Sequence, residues 1–415
     1  MDYKKLLLDR LLDKFEKSRA YQDVSLARRR IMLKLGPPEF PEYNIEKSET
    51  RELVNSAVQE LREKGLVDYE WLKHERGNII DKTWLRLENL SGAYQEAGRV
   101  AKSEKAAAVL SAVRKCRQAV SLPWIARFLD DVEAAVVTRK TPLPYLPEEV
   151  EQAEAVLRAL SAVNEKDEGE CLERVFSLRC FGDSKFFERY ARKKVAEIIR
   201  HYLAKEGDYQ ETLTEEELLA LVGIVKFPEQ VEFCGELVGR LSGREVSFGT
   251  FKYGLALNSP TLAELEITGF CSSVRRALFI ENKANYVDYV AKNKREDELV
   301  IFHGGFFSPM RGSFFKKIYE AGKQAGLEFY HWGDLDLGGF RMFHRLKTLI
   351  IPDLKPFLMD REAFLSQRQH WSSIDQKYGA ELEKLLKRED YGEFHDVIRL
   401  MLAEKVRLEQ EAFLV

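Results

Sequence analysis

The chain has 415 residues, 45% hydrophobic and 32% charged, with a formal net charge of −3. That length suggests several domains with ample core, and the near-neutral balance excludes a uniformly basic coat for nucleic acid while allowing local basic patches. No apolar run reaches membrane-spanning length, so no membrane association is expected.

The opening stretch MDYKKLLLDRLLDKF reads as an amphipathic helix carrying acids, unlike a secretory signal, and a cytoplasmic location is expected. The Pro-rich LGPPEFPEY (35–43) breaks the chain. A helix is then predicted from Ser48 as N-cap, with Leu53, Val54, Ala57, Val58 and Leu61 at helical spacing and Gly65 at its end. Two strand-like runs follow, LVDYEWL and IIDKTWLRL, split by HERGN. This outline is winged-helix-like and defines an N-terminal region over 1–91, whose wing suits DNA, a protein contact or plain packing.

Helix formers dominate 92–175, as in GRVAKSEKAAAVLSAVRKCRQAV, and predict a helical arm. A connecting, mostly helical region is predicted over 176–270, including TEEELLALVGIVKFPEQVEF. It also holds FGDSK (181–185), where Asp183 and Lys185 suit a structural pair around a glycine turn. The five cysteines, Cys116, Cys171, Cys180, Cys234 and Cys271, form no Cys-x-x-Cys pair, which argues against a zinc ribbon or redox dithiol. The basic clusters Arg28-Arg29-Arg30, Arg192-Lys193-Lys194 and Lys316-Lys317 each read most simply as solvated helix faces.

From about residue 271 to 415 the texture alternates. ALFIEN (277–282), ELVIFHGG (298–305) and LEFYHWGDLD are strand runs, each followed by a helical pattern. Alternation predicts parallel pairing, which gathers functional groups at the carboxyl ends of the strands. Those ends carry Glu281, His303-Gly304-Gly305, and Asp334 with Asp336. The two aspartates stand at i and i+2, so extended backbone points both to one face. Carboxylates crowded with Glu281 repel one another unless a cation neutralises them, and oxygen-only ligands suit Mg²⁺ or Mn²⁺ over zinc. Gly338 and Gly339 allow a tight turn, and the next helix is expected to begin near Phe340, its N-terminus facing an anion.

The order of these residues carries a resemblance. Glu281 in FIENKANY, then Asp334, Asp336 and Gly339 in WGDLDLGGF, resembles the TOPRIM domain of topoisomerases, primases and certain nucleases. With FGDSK and RLEQEAF (407–413), the chain resembles the JetD family, the nuclease subunits of Wadjet anti-plasmid systems, relatives of the type VI topoisomerase A subunit. The resemblance implies an α/β plus α architecture, with a C-terminal TOPRIM domain (a small parallel sheet flanked by helices) over 271–415. It implies a homodimeric double-strand DNA endonuclease acting on closed circular plasmid DNA by phosphodiester hydrolysis. The implied partners are a condensin-like complex of SMC, kleisin and kleisin-associated subunits, and Mg²⁺ or Mn²⁺ would be held by Glu281, Asp334 and Asp336.

Around that centre, Lys283, Arg311, Lys316 and Lys317 are candidates for backbone phosphates. His303, Gly339, Glu409 and Glu411 are candidates for support from behind the ligands. His331, inside an apolar run, reads equally as a core histidine. Type VI topoisomerases use a tyrosine in an Arg-x-x-x-Tyr-Tyr-like sequence, and this chain has no Tyr-Tyr pair. Tyr69 and Tyr190 stand alone and read as packing aromatics, which favours water as the nucleophile. The alternatives are a topoisomerase VI A-like enzyme, a non-catalytic DNA-binding clamp, and a haloacid-dehalogenase-type phosphatase. The last usually has Thr or Val where Gly338 stands and carries its motif on an early strand.

Overall fold

Leu7, Leu8, Leu11, Leu12 and Phe15 lie on one face of a helix and are buried together, which is why residues Tyr3–Glu16 form α1. The structure is a computed structural model describing residues 1–22, 29–167, 169–204 and 213–415; Arg28 of the first basic cluster lies outside the described residues. Two compact units divide the chain, Met1–Ser161 and Ala162–Val415.

In the first unit, β1 (Met32–Lys34), β2 (Val67–Trp71) and β3 (Ile80–Leu85) form an antiparallel sheet in the order β1-β3-β2, and α2 (Ser48–Glu63) precedes the β2–β3 hairpin. Helix α2 starts one residue earlier in capping terms than expected: Lys47 is its N-cap. Gly65, at φ +70, takes the left-handed turn that ends it. Strand β1, too short to announce itself, was absent from the sequence reading. Helices α3 (Leu90–Ala97), α4 (Lys102–Ala119), α5 (Pro123–Arg139) and α6 (Val150–Glu165) follow. Arg114–Glu133 at 2.9 Å and Arg117–Asp130 at 2.7 Å link α4 to α5.

The second unit begins with β4 (Cys171–Leu172), α7 (Glu173–Phe181), α8 (Phe186–Tyr190), α9 (Arg192–Tyr202) and α10 (Glu215–Ala220). Gly182 ends α7 at φ +74, and the Asp183 carboxylate accepts from the Lys185 backbone amide at 2.7 Å, so FGDSK is a helix stop with a side-chain turn. The expectation of a mostly helical stretch fails beyond Ala220. Residues there form β5 (Ile224–Val225), β6 (Gln230–Cys234), β7 (Leu237–Leu241), β8 (Arg244–Ser247), β9 (Leu255–Asn258), α11 (Ser259–Glu264) and β10 (Glu266–Phe270). Gly223 at φ +70 and Pro228 interrupt helix propagation, and the β-branched residues between them favour extended backbone.

The remaining elements are β11 (Arg276–Ile280), α12 (Lys283–Lys292), β12 (Glu298–Phe302), α13 (Pro309–Gln324), β13 (Glu328–Trp332), α14 (Leu337–Leu349), β14 (Lys355–Pro356), α15 (Arg361–Ser366), β15 (Ser372–Ser373), α16 (Gln376–Leu385), α17 (His395–Glu404) and β16 (Val406–Arg407). The fold is thus mixed α and β, with several sheets. The largest runs β14-β13-β11-β12-β6-β9, and β11 pairs parallel with both β12 and β13, as the alternation predicted. Ala277, Leu278, Phe279 and Ile280 are fully buried, as a strand covered on both faces requires. Among the described residues, no helix is long and apolar enough to cross a membrane.

Candidate functional site

Register fixes the site. Ile280 stands opposite Phe302 on one side and Trp332 on the other, so Glu281, His303 and Gly333 all follow at the same level at the carboxyl end of the sheet. The Glu281 amide donates to the Trp332 carbonyl at 2.9 Å, and the His303 amide to that of Ile280 at 3.1 Å, which holds these positions side by side.

Asp334 and Asp336 follow β13, but they do different work. Asp336 is buried and is itself the N-cap of α14: its Oδ1 accepts from the Gly339 amide at 2.8 Å. The helix therefore begins at Leu337, earlier than the expected start near Phe340, because a carboxylate sits where a cap is needed. Gly339 is required by close approach: a Cβ there would overlap the Asp334 carbonyl oxygen. The other Asp336 oxygen, Oδ2, is 3.3 Å from Arg407 Nη1.

Asp334 is half-buried and faces the end of the chain. Its Oδ1 accepts from the Gln410 amide at 2.6 Å. Burial, then Asp336, Glu409 and Glu411, push its carboxyl up to about 7 against the pull of that amide. Among the described residues, Asp334, Glu409 and Glu411 form the group whose carboxylate oxygens lie within 4.8 Å of one another, close enough to share one cation. Glu281 and Asp336 are next to this group without belonging to it. Glu409 is raised by burial, with Asp336 and Glu411 adding to it, although Arg407 Nη2 lies 2.8 Å from its Oε1.

Glu281 points inward. Its Oε2 is shut off from solvent and has no hydrogen-bond partner among the described residues, and a Cβ on Gly333 would strike it and crowd the His331 ring. Burial first, then Asp334 and Asp336, hold its carboxyl well above the usual range. Five carboxylates thus converge here. Among the described residues, Arg407 is the one cation in ion-pair contact with any of them.

The C-terminal segment completes the site. Leu335 and Leu408 exchange backbone hydrogen bonds at 3.0 and 3.2 Å, and β16 pairs with β15 just before them. Gln410, 1% exposed, binds the Asn282 amide through Oε1 at 2.9 Å and the Trp332 carbonyl through Nε2 at 3.1 Å. Asn285 Nδ2 donates to the Gln410 carbonyl at 2.8 Å, and Asn282 Nδ2 to Glu411 Oε1 at 2.6 Å. Gln410, Arg407, Asn282 and Asn285 escaped sequence reasoning. The RLEQEAF match was the signal for Arg407 and Gln410, and the FIENKANY match the signal for Asn282 and Asn285.

The other expected residues are dispersed. Lys283 is ion-paired to Glu232, with its ammonium 4.9 Å from the Phe302 ring centre. Arg311 Nη1 donates to the His303 carbonyl at 3.3 Å. Lys316 is exposed and 3.9 Å from Glu320 on its own helix. Lys317 donates to the carbonyls of Leu262, Ala263 and Leu265 at 3.0, 3.1 and 3.0 Å, closing the C-terminus of α11. His303 and His331 are both fully buried, with ring centres 4.9 Å apart. Burial and the Arg311 charge take His303 down to about 3, so this pair is neutral and out of reach of a large ligand.

A family model described as "Wadjet protein JetD, C-terminal" matches residues 237–415, the region holding every residue of this centre. Over nearly its whole length the chain is also similar to a Wadjet protein JetD from Bacillus cereus (strain Q1): 30% identity across 414 residues, 99% of this chain and 98% of that one. The chain belongs to the JetD family. For a JetD-family chain, the expectation drawn from Glu281, Asp334, Asp336 and RLEQEAF is thus correct at the level of family.

Proposed function

We propose that this chain is the divalent-cation-dependent DNA endonuclease of a Wadjet system, with the strand-end carboxylates as its active centre in a TOPRIM-type domain. The observation that carries the reading is the convergence of five carboxylates at one strand end, of which Arg407 contacts only Asp336 and Glu409, with Asp334 and Glu281 both raised by burial and then by their neighbours' charge. Such a cluster is unfavourable alone and is relieved by a small hard cation. The donors are all oxygen, which suits Mg²⁺ or Mn²⁺. Asp334, Glu409 and Glu411 would hold the ion, with the charges of Glu281 and Asp336 beside them. When bound, such an ion supplies charge for a phosphoryl oxygen and lowers the pKa of a water.

The chain's own contribution is placement. Asp336 anchors α14 so that Asp334 projects from a rigid strand end, and Arg407 orients the Asp336 and Glu409 carboxylates through its two terminal nitrogens. The buried, neutral His303–His331 pair adds no charge beside the carboxylates. Lys283, Arg311 and Lys316 remain the proposed phosphate contacts, whereas Lys317 has its donors turned to α11. Closed circular plasmid DNA as substrate, a homodimeric form, and SMC-type, kleisin and kleisin-associated partners belong to the same proposal, by family likeness. So does the winged-helix role of the first 91 residues.

The test uses the full chain with the other subunits of its system, closed circular DNA and Mg²⁺, with the product ends examined after denaturation. Linear DNA with protein-free ends is expected. Ends attached to a tyrosine would instead support the topoisomerase-like alternative, and DNA retained uncut under all conditions would support the clamp.

A further inference from the structure

Gln410 holds together groups that no local sequence relation connects. Its backbone amide positions Asp334, its side-chain oxygen receives the Asn282 amide next to Glu281, and its side-chain nitrogen reaches the Trp332 carbonyl at the end of β13. Its own carbonyl is fixed by Asn285 from α12. The two strand ends that carry Glu281 and Asp334 are therefore cross-tied by one buried amide side chain. That same residue sits between Glu409 and Glu411, so fixing it fixes both neighbours, and Asn282 adds a 2.6 Å hydrogen bond to Glu411.

We propose that Gln410 is the positioning residue of the acidic centre, and that the terminal strap 406–414 is a built wall of the cation site. This rests on the metal-centre reading above and deepens it: the centre exists only with the strap docked, because three of its members, Arg407, Glu409 and Glu411, arrive on it. The physical reason is preorganisation. Like-charged oxygens stay within reach of one ion only if their backbones are held there by other bonds, and residues that orient ligands typically control metal affinity by about 10–100-fold.

The test is Mn²⁺ binding to the full chain, read from loss of the free-ion electron paramagnetic resonance signal. Gln410→Met keeps side-chain length and removes both side-chain hydrogen bonds; it is expected to weaken Mn²⁺ binding by about 10–100-fold. Phe187→Leu, at a fully buried aromatic of α8 packed on Phe176, is the control. It is expected to lower the melting temperature while leaving Mn²⁺ affinity unchanged. Where Gln410→Met does not fold, Asn285→Leu, which removes only the donor to the Gln410 carbonyl, is measured in its place and is expected to weaken binding in the same direction. Wild-type affinity in the Gln410 or Asn285 variant, or equal weakening in Phe187→Leu, would overturn the positioning role alone. A wild-type chain whose Mn²⁺ binding is absent, or is unaffected by Asp334→Asn, would overturn the metal centre itself and the positioning role with it.

Discussion

The carboxylate of Asp336 caps helix α14 by accepting the Gly339 amide at 2.8 Å, so one residue of the acidic pair is structural as well as electrostatic. Removing the cap and removing the charge are separable. Asp336→Ala is expected to cost about 0.5–2 kcal/mol of stability, whereas Asp336→Asn, itself a good N-cap, is expected to keep most of it. Both should weaken Mn²⁺ binding, since both delete a charge. Urea melts set beside Mn²⁺ titrations of the two variants check this; equal stability loss in both would contradict the capping role.

Asp334 and Glu281 predict an unusual pH response. Both are acids held above their unfolded values, Asp334 at about 7 against 3.8. Below about pH 4 both the folded and unfolded chains carry the proton, and no difference arises. As pH rises toward 7 the unfolded chain releases it first, so the folded state binds more protons and its stability falls. Melting in chelator should therefore show wild-type stability in decline relative to that of Asp334→Asn between about pH 4 and 7, a comparison from which the opposite slope of the buried, neutral His303 and His331 drops out because both chains share it. Saturating Mn²⁺ should flatten the decline, because the ion binds the ionised carboxylates of the folded chain. A wild-type stability that rises relative to that of Asp334→Asn across that window would contradict the assignment.

Lys317 is expected to matter for folding and not for DNA. Its ammonium closes the end of α11 through three carbonyls, and charge-assisted hydrogen bonds of this kind contribute about 1.5–3 kcal/mol. Lys317→Met should lower stability by an amount of that order and leave the salt dependence of DNA binding unchanged. Lys316→Met should do the reverse: little change in stability, and a shallower salt slope if it contacts a phosphate. Binding isotherms at several salt concentrations, with urea melts of both variants, separate the two.

The contrast between these neighbouring lysines shows where the sequence stops being informative. Strands β11 and β12 are buried on both faces and β13 over most of its length, so their apolar runs were plain, and the i, i+2 spacing of Asp334 and Asp336 was legible because both close one such run. Glu281 was legible for the same reason. Gln410 was not: a glutamine between two glutamates near the chain end has no local pattern, and its role arises only when β16 returns to the sheet edge beside Leu335. Strands β5 to β10 were missed because, at five residues or fewer, most also lack the continuous buried run of β11 and β12, and their stability comes from partners remote in the chain.

The most direct test of the central claim is cleavage by the Asp334→Asn chain. Assembled with its partner subunits on closed circular DNA in Mg²⁺, the wild-type chain is expected to linearise the substrate. The Asp334→Asn chain, with its fold confirmed by circular dichroism, is expected to bind DNA and leave it intact. Cleavage by Asp334→Asn at the wild-type rate would contradict the claim that this carboxylate centre cuts DNA.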